Sequence, residues 1–400
     1  MSTIVSTHPV EAVAPPEWLD RARRLAPALR ARRAETERRR CIPAETIADF
    51  HQAGFFRMLQ PAAYGGWESD PGTFFEVQIT LAEACPSSGW IMGVVGIHNW
   101  HLALFDKQAQ EDVWGDDSRV LISSSYSPTG KVERVEEGFR VSGRWSYSSG
   151  CDHCDWVLLG GYAPVQEGAV PDMRSYLIPR KDYRIEDNWH VIGLKGTGSK
   201  DIVVDGAFVP EYRTHRFIDG FMQNNPGNAV NTAPLYRLPF GQVLVRAIST
   251  SAIGMAQGAL KAFCQATAHK VAAGDGSRVA EDPAAQMAAA GATTLVDEMR
   301  VILHRNLDDM MQRVQRGERI PVDLRVQYRF DSANVVGKAV EAIDRLFTAS
   351  GGRAIFAEHP LAGYFLDVHA ARAHYVNVPE KAGRNLGRTL LNLPNQDFFL

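Results

Sequence analysis

Residues 193–210 read Gly-Leu-Lys-Gly-Thr-Gly-Ser-Lys-Asp-Ile-Val-Val-Asp-Gly-Ala-Phe-Val-Pro, a glycine-rich loop that runs straight into a β-branched segment. A nucleotide-binding phosphate loop would continue with Lys and Ser or Thr directly after its last glycine and would then enter a helix. That step is missing here, and residues 202–204 are all β-branched, which is typical of a strand. The stretch therefore predicts a loop leading into a strand and argues against a nucleoside triphosphatase.

The texture of the sequence changes on both sides of this loop. Up to about residue 117, apolar residues such as Phe50 and Phe55 follow helical spacing. Residues 118–235 place β-branched and aromatic segments between glycine and proline turns, and alanine-rich stretches with helical spacing follow from 236 to 400. This order predicts an α+β chain with an N-terminal helical domain (1–117), a central β-domain (118–235) and a C-terminal helical bundle (236–400). Residues 220–239 lack periodicity and predict a long loop.

Composition limits the partners of the chain. Its 400 residues are 45% apolar and carry a net charge of −3, so there is no excess of positive charge to attract nucleic acid. No apolar run approaches the roughly 20 residues that cross a bilayer, and the start lacks the plan of a signal peptide. We expect a cytoplasmic protein without a membrane partner. Five scattered cysteines do not predict disulfides.

Two serine-rich segments are candidates for a functional site. Residues 123–128, Ser-Ser-Ser-Tyr-Ser-Pro, are too polar for a buried strand unless their hydroxyls find partners. Residues 145–153, Trp-Ser-Tyr-Ser-Ser-Gly-Cys-Asp-His, combine aromatic rings, hydroxyls and a glycine, which suits a planar ring system with heteroatoms. Each segment taken alone is equally compatible with an ordinary polar turn.

Two other patterns favour structural interpretations. Cys151-Asp-His-Cys154 is a single pair without a βαβ context, which favours structural cysteines over zinc or thiol redox chemistry. His98 and His101 lie on neighbouring helical positions, but no adjacent carboxylate completes a ligand set. We predict no metal site.

Longer segments resemble the acyl-CoA dehydrogenase superfamily. Residues 42–56 and Gln60-Pro-Ala-Ala-Tyr-Gly-Gly are similar to its N-terminal helix and turn, residues 193–210 to its β-domain loop and exit strand, and residues 344–352 to its late helix. The resemblance implies an N-terminal helical domain, a central β-barrel domain and a C-terminal four-helix bundle, and it implies a homotetramer.

Within the superfamily, residues 96–105, 122–128, 145–153 and 367–374 resemble the two-component, reduced-flavin-dependent monooxygenases. This branch includes hydroxylases of p-hydroxyphenylacetate and of a seco-steroid phenol, and the latter match covers nearly the whole chain. The resemblance implies that a separate flavin reductase supplies reduced FMN, or FADH2, which reacts with O2 to form a C4a-hydroperoxide. That species would ortho-hydroxylate a phenolic substrate, with a seco-steroid or bicyclic phenol as the leading expectation.

The same resemblance assigns roles to individual residues. His98 would be the base for the phenol, Ser149 would bond the flavin N5 region, and His374 would be a donor near the hydroperoxide. The flavin would be bound by Trp90, Ser123, Ser124, Ser125, Thr197, Ser199 and Lys270. The substrate pocket would include Tyr126, Tyr147, His369 and Tyr236.

Two alternatives stay open at this point. A dehydrogenase or a nitroalkane-oxidase-like flavoenzyme needs a carboxylate base, but the matching position falls at or near Tyr375, which cannot serve as one. A non-catalytic flavin-fold binding module would bind oxidised flavin without turnover. Relatives also carry arginines for the flavin phosphate in the segment that corresponds to residues 269–275, where only Lys270 and the later Arg278 remain. The choice between FMN and FAD is therefore open.

Overall fold

The computed structural model describes residues 15–271, 274 and 276–400. The polar start of the chain and part of the 269–275 segment lie outside the described residues. Helices form the first part of the chain, as the sequence predicts. They are α1 (Pro15–Arg39), α2 (Ala44–Ala53), α3 (Pro71–Ala84), α4 (Pro86–Leu102) and α5 (Lys107–Trp114).

Helix α4 is the central element of this part. Pro86 starts it two residues after α3 ends, and a proline is favourable there because its missing N–H would have no partner in the first turn. Every residue of α4 is buried, and the helix packs against α3, strand β1 (Ile122–Ser125) and the C-terminal helices. A helix that is buried on all sides places its few polar side chains inside the protein.

Strands make up the middle of the chain. Besides β1 they are β2 (Lys131–Val135), β3 (Gly138–Ser148), β4 (Trp156–Ala163), β5 (Asp172–Pro179), β6 (Arg184–Glu186), β7 (Lys200–Pro210) and β8 (Thr214–Arg216). They form two four-stranded sheets in the orders β1-β4-β5-β8 and β2-β3-β7-β6. Phe139 and Trp145 of one sheet and Val157 and Tyr176 of the other belong to one shared core.

The predicted β-barrel is not what the strands form. No ladder of hydrogen bonds joins the two sheets within the described ranges, so β1, β8, β2 and β6 remain edge strands. Alternating apolar residues specify which face of a strand is buried, but they do not specify which edges pair. In addition, the register between β3 and β7 shifts twice, at Val141/Gly143 and at Trp145/Ser148, and such irregularities bend a strand.

Helices return after β8. They are α6 (Phe217–Phe221), α7 (Phe240–Ser249), α8 (Ser251–Thr267), α9 (Pro283–Gln315), α10 (Val322–Ala349), α11 (Pro360–Arg372) and α12 (Pro379–Leu390). Helix α10 packs against α8, α9 and α11, and α8 also contacts α9 and α11. The irregular segment between α6 and α7 contains only two short 3-10 turns, in agreement with the predicted loop.

One stretch in this part is more apolar than the sequence analysis allowed. Phe240–Thr267, which spans α7 and α8, is long and apolar enough to cross a membrane, but 83% of its apolar window is buried inside the protein. Gln242 and Arg246 interrupt the apolar run, and both side chains are fully buried. Its burial among the other helices makes it a core element.

The loop at 193–199 is held between the N- and C-terminal helices. Asp367 of α11 accepts a hydrogen bond from the backbone N–H of Leu194 at 2.6 Å and one from the Arg33 guanidinium of α1 at 3.2 Å. A Cβ on Gly193 would lie 2.1 Å from the carbonyl oxygen of Leu366, so only glycine permits this approach. Burial raises the pKa of Asp367 to about 6, although Arg33 lowers it.

This pKa predicts a pH dependence of stability that Asp367→Asn removes. Because the folded-state pKa lies above the unfolded value, protonation of Asp367 stabilises the fold at pH below about 4, and this contribution is lost as the pH rises through 6. Across that window, the free energy of unfolding of the wild type should fall by about 3 kcal/mol relative to Asp367→Asn. Urea unfolding of both proteins from pH 4 to 7 measures the difference, and parallel curves would contradict the prediction.

Candidate active site

A chain of hydroxyl groups adjoins the indole of Trp90, where α4 meets the end of β3 and the 193–199 loop. Trp90 Nε1 donates to Ser149 Oγ at 3.2 Å, and Ser149 Oγ lies 2.7 Å from Ser199 Oγ. Ser199 Oγ is 2.7 Å from Thr197 Oγ1, which donates to the carbonyl of Leu194 at 2.9 Å. The predicted residues Trp90, Ser149, Thr197 and Ser199 therefore lie together.

The carbonyl at the end of this chain fixes its direction. Each hydroxyl has one hydrogen, and a carbonyl can only accept. When Thr197 donates to Leu194, Ser199 donates to Thr197 and Ser149 donates to Ser199. The indole N–H of Trp90 occupies one lone pair of Ser149, so one lone pair and no free hydrogen remain. Ser149 thus acts as an acceptor toward a molecule bound beside it.

His374 lies on another side of the same indole. The two ring centroids are 6.0 Å apart, and the backbone N–H of Val376 donates to His374 Nδ1 at 3.3 Å. Burial, with a contribution from Arg329, lowers the pKa of His374 to about 4. The neutral ring therefore carries its hydrogen on Nε2, which makes that nitrogen a donor.

His98 has the opposite arrangement. Its Nδ1 lies 2.6 Å from the carbonyl oxygen of Ile122, which can only accept, so Nδ1 carries the hydrogen. Burial lowers the pKa of His98 to about 4, although the bond to Ile122 raises it. Nε2 has no hydrogen-bond partner among the described residues and is free to accept. The His98 ring centroid lies 6.2 Å from that of Tyr126.

The three serines of β1 have different surroundings. Ser125 Oγ donates to the carbonyl of Ser146 at 2.7 Å and so joins β1 to β3. Ser124 is half-buried. Ser123 Oγ is buried without a hydrogen-bond partner among the described residues. Ser148 Oγ, next to Ser149, is buried without a hydrogen-bond partner in the described part of the chain.

These groups fit a flavin. A flavin ring is planar and apolar on its faces and carries nitrogen and oxygen atoms around its edge, so its site needs an aromatic or apolar surface with a few aimed polar groups. Trp90 supplies the aromatic surface. The open lone pair of Ser149, beside the end of β3, supplies a polar group.

Two predicted residues lie elsewhere. Lys270 Nζ donates to the carbonyl of Ser350, at the end of α10, at 2.7 Å. His369 Nε2 pairs with Asp344 at 3.0 Å, and the His369 side chain is 37% exposed. None of their described contacts reaches the Trp90 hydroxyl chain.

Tyr147 and Tyr236, the two remaining candidates for the substrate pocket, also lie apart from the Trp90 hydroxyl chain. Tyr147 is 69% exposed and packs its edge against Trp189. Tyr236 is fully buried in the core, and its hydroxyl donates to the carbonyl of Leu59 at 3.2 Å. In this structure, the former is a surface residue and the latter a core residue.

The cysteine and histidine pairs have structural partners. The thiols of Cys151 and Cys154 are buried and hydrogen-bond backbone carbonyls, and all five cysteines are free. Both ring nitrogens of His101 are occupied, by Tyr126 and His215. The described ranges contain no group of three or more His, Cys, Asp or Glu that could hold a metal ion.

Comparison with family models matches both helical parts of the chain. Residues 17–116 match the acyl-CoA dehydrogenase N-terminal domain, and residues 246–379 match the C-terminal domain. The chain belongs to the acyl-CoA dehydrogenase family. The fold predicted from the sequence resemblance is thereby confirmed in its helical, strand-containing and helical parts.

Individual relatives in this family match over most of the chain. It is 42% identical to the flavin-dependent monooxygenase oxygenase subunit HsaA of Rhodococcus jostii, over 93% of this chain and 98% of that protein. It is 31% identical to the oxygenase component of FADH(2)-dependent resorcinol hydroxylase of a Rhizobium species, over 92% of each chain. The crystal structure of 3-HSA hydroxylase from Rhodococcus superposes with a TM-score of 0.91 at 41% identity, over 96% of this chain and 99% of that one.

Tyr375, at or near which the sequence resemblance puts the dehydrogenase base, lies at the surface. Tyr375 is 64% exposed, and its hydroxyl accepts a hydrogen bond from Lys381 at 2.7 Å. A phenol in that setting cannot replace a carboxylate that abstracts a proton from a bound substrate. The structure therefore agrees with the loss of dehydrogenase chemistry inferred from the sequence.

Sequence reasoning did not assign His101, His215 and Asn225 to the site. His101 hydrogen-bonds Tyr126, and His215 of β8 and Asn225 of the 220–239 loop continue from it. Residue spacing gave no signal, because His101 and His215 are 114 positions apart. Arg329, whose positive charge lowers the pKa of His374, was not assigned to the site either.

Proposed function

We propose that this chain is the oxygenase component of a two-component flavin-dependent monooxygenase that ortho-hydroxylates a phenolic ring. It would take reduced FMN or FADH2 from a separate flavin reductase and use O2 as co-substrate. Relatives named as flavin-dependent oxygenase components confirm the enzyme class predicted from the sequence. The observation that carries the proposal is that two acceptors are held open: one lone pair of Ser149 beside Trp90, and Nε2 of the neutral His98.

The flavin would lie beside Trp90. Bound reduced flavin supplies the activation of dioxygen, and the protein supplies orientation and shielding from water. Ser149 would bind one edge of the ring, and Ser199 and Thr197 would hold Ser149 in place through their hydroxyls, with Ser123 and Ser124 also nearby. Ser125 would act as a support for β1, since its hydrogen is already given to Ser146. Lys270 remains a candidate for the phosphate end.

The two neutral histidines would have opposite tasks. A phenol has an unperturbed pKa near 10, so forming phenolate at pH 7 costs about 4 kcal/mol. His98 can accept the phenol proton at Nε2, and the phenolate formed beside it would raise the pKa of the imidazole by charge pairing. His374 would donate through Nε2 on the flavin side.

Aromatic side chains near Tyr126 support a bulky apolar substrate. The Phe217 ring centroid lies 6.1 Å from that of Tyr126, 5.1 Å from that of Phe240 and 5.7 Å from that of Phe399. Such a wall suits a seco-steroid or bicyclic phenol better than a small polar one. The relative named 3-HSA hydroxylase supports this choice.

The assembly and location follow the same proposal. The domains would span 1–117, 118–235 and 236–400, and the protein would be a cytoplasmic homotetramer. Leu390, Leu391 and Leu393 at the end of α12 are 72%, 74% and 47% exposed. Adjacent exposed leucines support burial against other subunits.

The direct test mixes the purified protein with chemically reduced FMN or FADH2, oxygen and a series of phenols, with mass spectrometry of the products. We expect hydroxylation of a bicyclic or seco-steroid phenol without any further protein. A protein that purifies with bound oxidised flavin and oxidises an acyl-CoA or a nitroalkane would contradict the proposal. Binding of oxidised flavin without oxygen-dependent turnover would indicate a non-catalytic module.

Ser149→Ala and His98→Ala should impair the enzyme differently. Without phenol, Ser149→Ala should release hydrogen peroxide several-fold faster, because a hydrogen bond of roughly 0.5–1.5 kcal/mol is lost beside the flavin. His98→Ala should leave that rate unchanged but slow hydroxylation, most severely at low pH, where little phenolate forms unaided. Peroxide release and product formation measure the two effects, and the reverse pattern would overturn the assignment.

The direction of the hydroxyl chain predicts a preference for reduced flavin. Reduced flavin carries a hydrogen on N5 for Ser149 to accept, whereas oxidised flavin needs a donor there. To donate to oxidised flavin, Ser149 must give up its hydrogen bond to Ser199. The loss of one hydrogen bond corresponds to about a 2- to 13-fold tighter binding of reduced than of oxidised flavin. Ser199→Ala should therefore tighten the binding of oxidised FMN by that factor and leave reduced FMN little changed.

Equilibrium dialysis with oxidised FMN, and its anaerobic equivalent with reduced FMN, gives both dissociation constants. Thr129→Val is the matched control, because the Thr129 hydroxyl also bonds a carbonyl, that of Arg144, but lies apart from the Trp90 hydroxyl chain. If Ser199→Ala changes the dissociation constants of oxidised and reduced FMN equally, the direction of the hydroxyl chain does not determine which redox state is preferred.

A further inference from the structure

A second polar chain runs inward from Tyr126. The Tyr126 hydroxyl lies 2.8 Å from His101 Nδ1, and His101 Nε2 lies 3.1 Å from His215 Nδ1. His215 Nε2 lies 2.8 Å from Asn225 Oδ1. His101 and His215 are fully buried, and Asn225 is 4% exposed. The chain thus joins α4, β8 and the 220–239 loop inside the protein.

Both imidazoles in this chain are neutral. Burial lowers the pKa of His215 to about 4 and lowers the pKa of His101 well below its usual range, with His215 and His98 lowering the latter further. A neutral imidazole has one N–H and one bare nitrogen. Each ring therefore donates at one side and accepts at the other, and the whole chain has a direction.

A backbone carbonyl sets that direction at the far end. The carbonyl of Tyr236 can only accept, and Asn228 Nδ2 donates to it at 2.9 Å. Asn228 Oδ1 therefore faces Asn225, whose backbone N–H and Nδ2 donate to it at 2.9 and 3.3 Å. Asn225 Oδ1 is left to face His215 as an acceptor.

From this acceptor the hydrogens follow in order. His215 donates through Nε2 to Asn225, so its Nδ1 accepts from His101 Nε2. His101 Nδ1 then carries no hydrogen and accepts from the Tyr126 hydroxyl. The hydrogen of Tyr126 points into the protein, and its oxygen presents lone pairs on the other side.

We propose that His101, His215 and Asn225 are positioning residues that keep the Tyr126 hydroxyl hydrogen away from the substrate, so that Tyr126 and His98 offer the phenol only acceptors. The inference rests on the proposed function, which places the phenol beside His98. With its hydrogen given to His101, the Tyr126 oxygen is the first acceptor. His98 Nε2 is the second acceptor.

This arrangement selects for a hydroxyl group on the ring. A phenol donates to one of the two acceptors, whereas its methyl ether cannot donate and leaves both unpaired. A buried polar group without a partner weakens binding by roughly 5- to 160-fold. The chain would thus exclude aromatic compounds of the same shape whose oxygen is blocked.

The test compares the binding of β-naphthol, a bicyclic phenol, with that of its methyl ether by calorimetry, in the presence of reduced FMN and without oxygen. The wild type should bind β-naphthol roughly 5- to 160-fold more tightly than its methyl ether. In His101→Phe, Tyr126 has no acceptor behind it and can turn its hydrogen to the ether oxygen, so the ether should bind roughly 2- to 13-fold more tightly than it binds to the wild type. A general structural disturbance would not strengthen ether binding.

His101→Gln is the matched variant, because its amide can accept from Tyr126 and donate to His215. It should bind the ether no more tightly than the wild type does. If His101→Phe does not fold, Asn225→Leu removes the acceptor at the other end and should also tighten ether binding.

The proposal is overturned if the wild type does not distinguish the two ligands, or if His101→Phe and Asn225→Leu bind the ether no more tightly than the wild type does. It is also overturned if His101→Gln tightens ether binding as His101→Phe does. These measurements need no turnover. Failure of the phenol screen with reduced flavin and oxygen would instead refute the proposed function itself.

Discussion

The carboxylate of Asp367 joins the three parts of the chain. It accepts from Arg33 of the first helix and from the backbone of Leu194 in the middle of the chain, and it lies itself on α11. A buried carboxylate is costly unless charged or polar donors surround it, so this contact holds only while all three partners are in place. Thr197 and Ser199 follow Leu194 within five residues, and their positions beside Ser149 depend on it.

Much of the architecture follows from patterns within short stretches. Helical spacing, β-branched runs and glycine turns set the order of helices and strands, because these signals depend on residues close in sequence. The sheet arrangement did not follow, since the pairing of β1 with β4 and of β3 with β7 joins distant segments. The apolar character of α7 and α8 was hidden by two polar residues that their neighbours bury.

The candidate site, like the fold, was predictable from the sequence only in part. Trp90, Ser149, Thr197 and Ser199 were predicted from segments that resemble a known family, and they meet in the structure. His369 was predicted in the same manner but faces Asp344, because one helical turn decides whether a side chain points inward. The roles of His98 and His374 depend on which nitrogen carries the hydrogen, and their local partners determine that.

Three sets of hydrogen bonds in the site each end at a peptide carbonyl. The hydroxyl chain beside Trp90 ends at Leu194, the bond of His98 at Ile122, and the chain from Tyr126 at Tyr236. A peptide carbonyl is present whatever side chain occupies the position, and it neither titrates nor reverses. Side chains at these three positions are therefore free to vary during evolution without reversing the order of hydrogens that begins there. Proteins with the same backbone can therefore change the aromatic side chains around Phe217 and bind new substrates while the order of hydrogen-bond donors and acceptors stays the same.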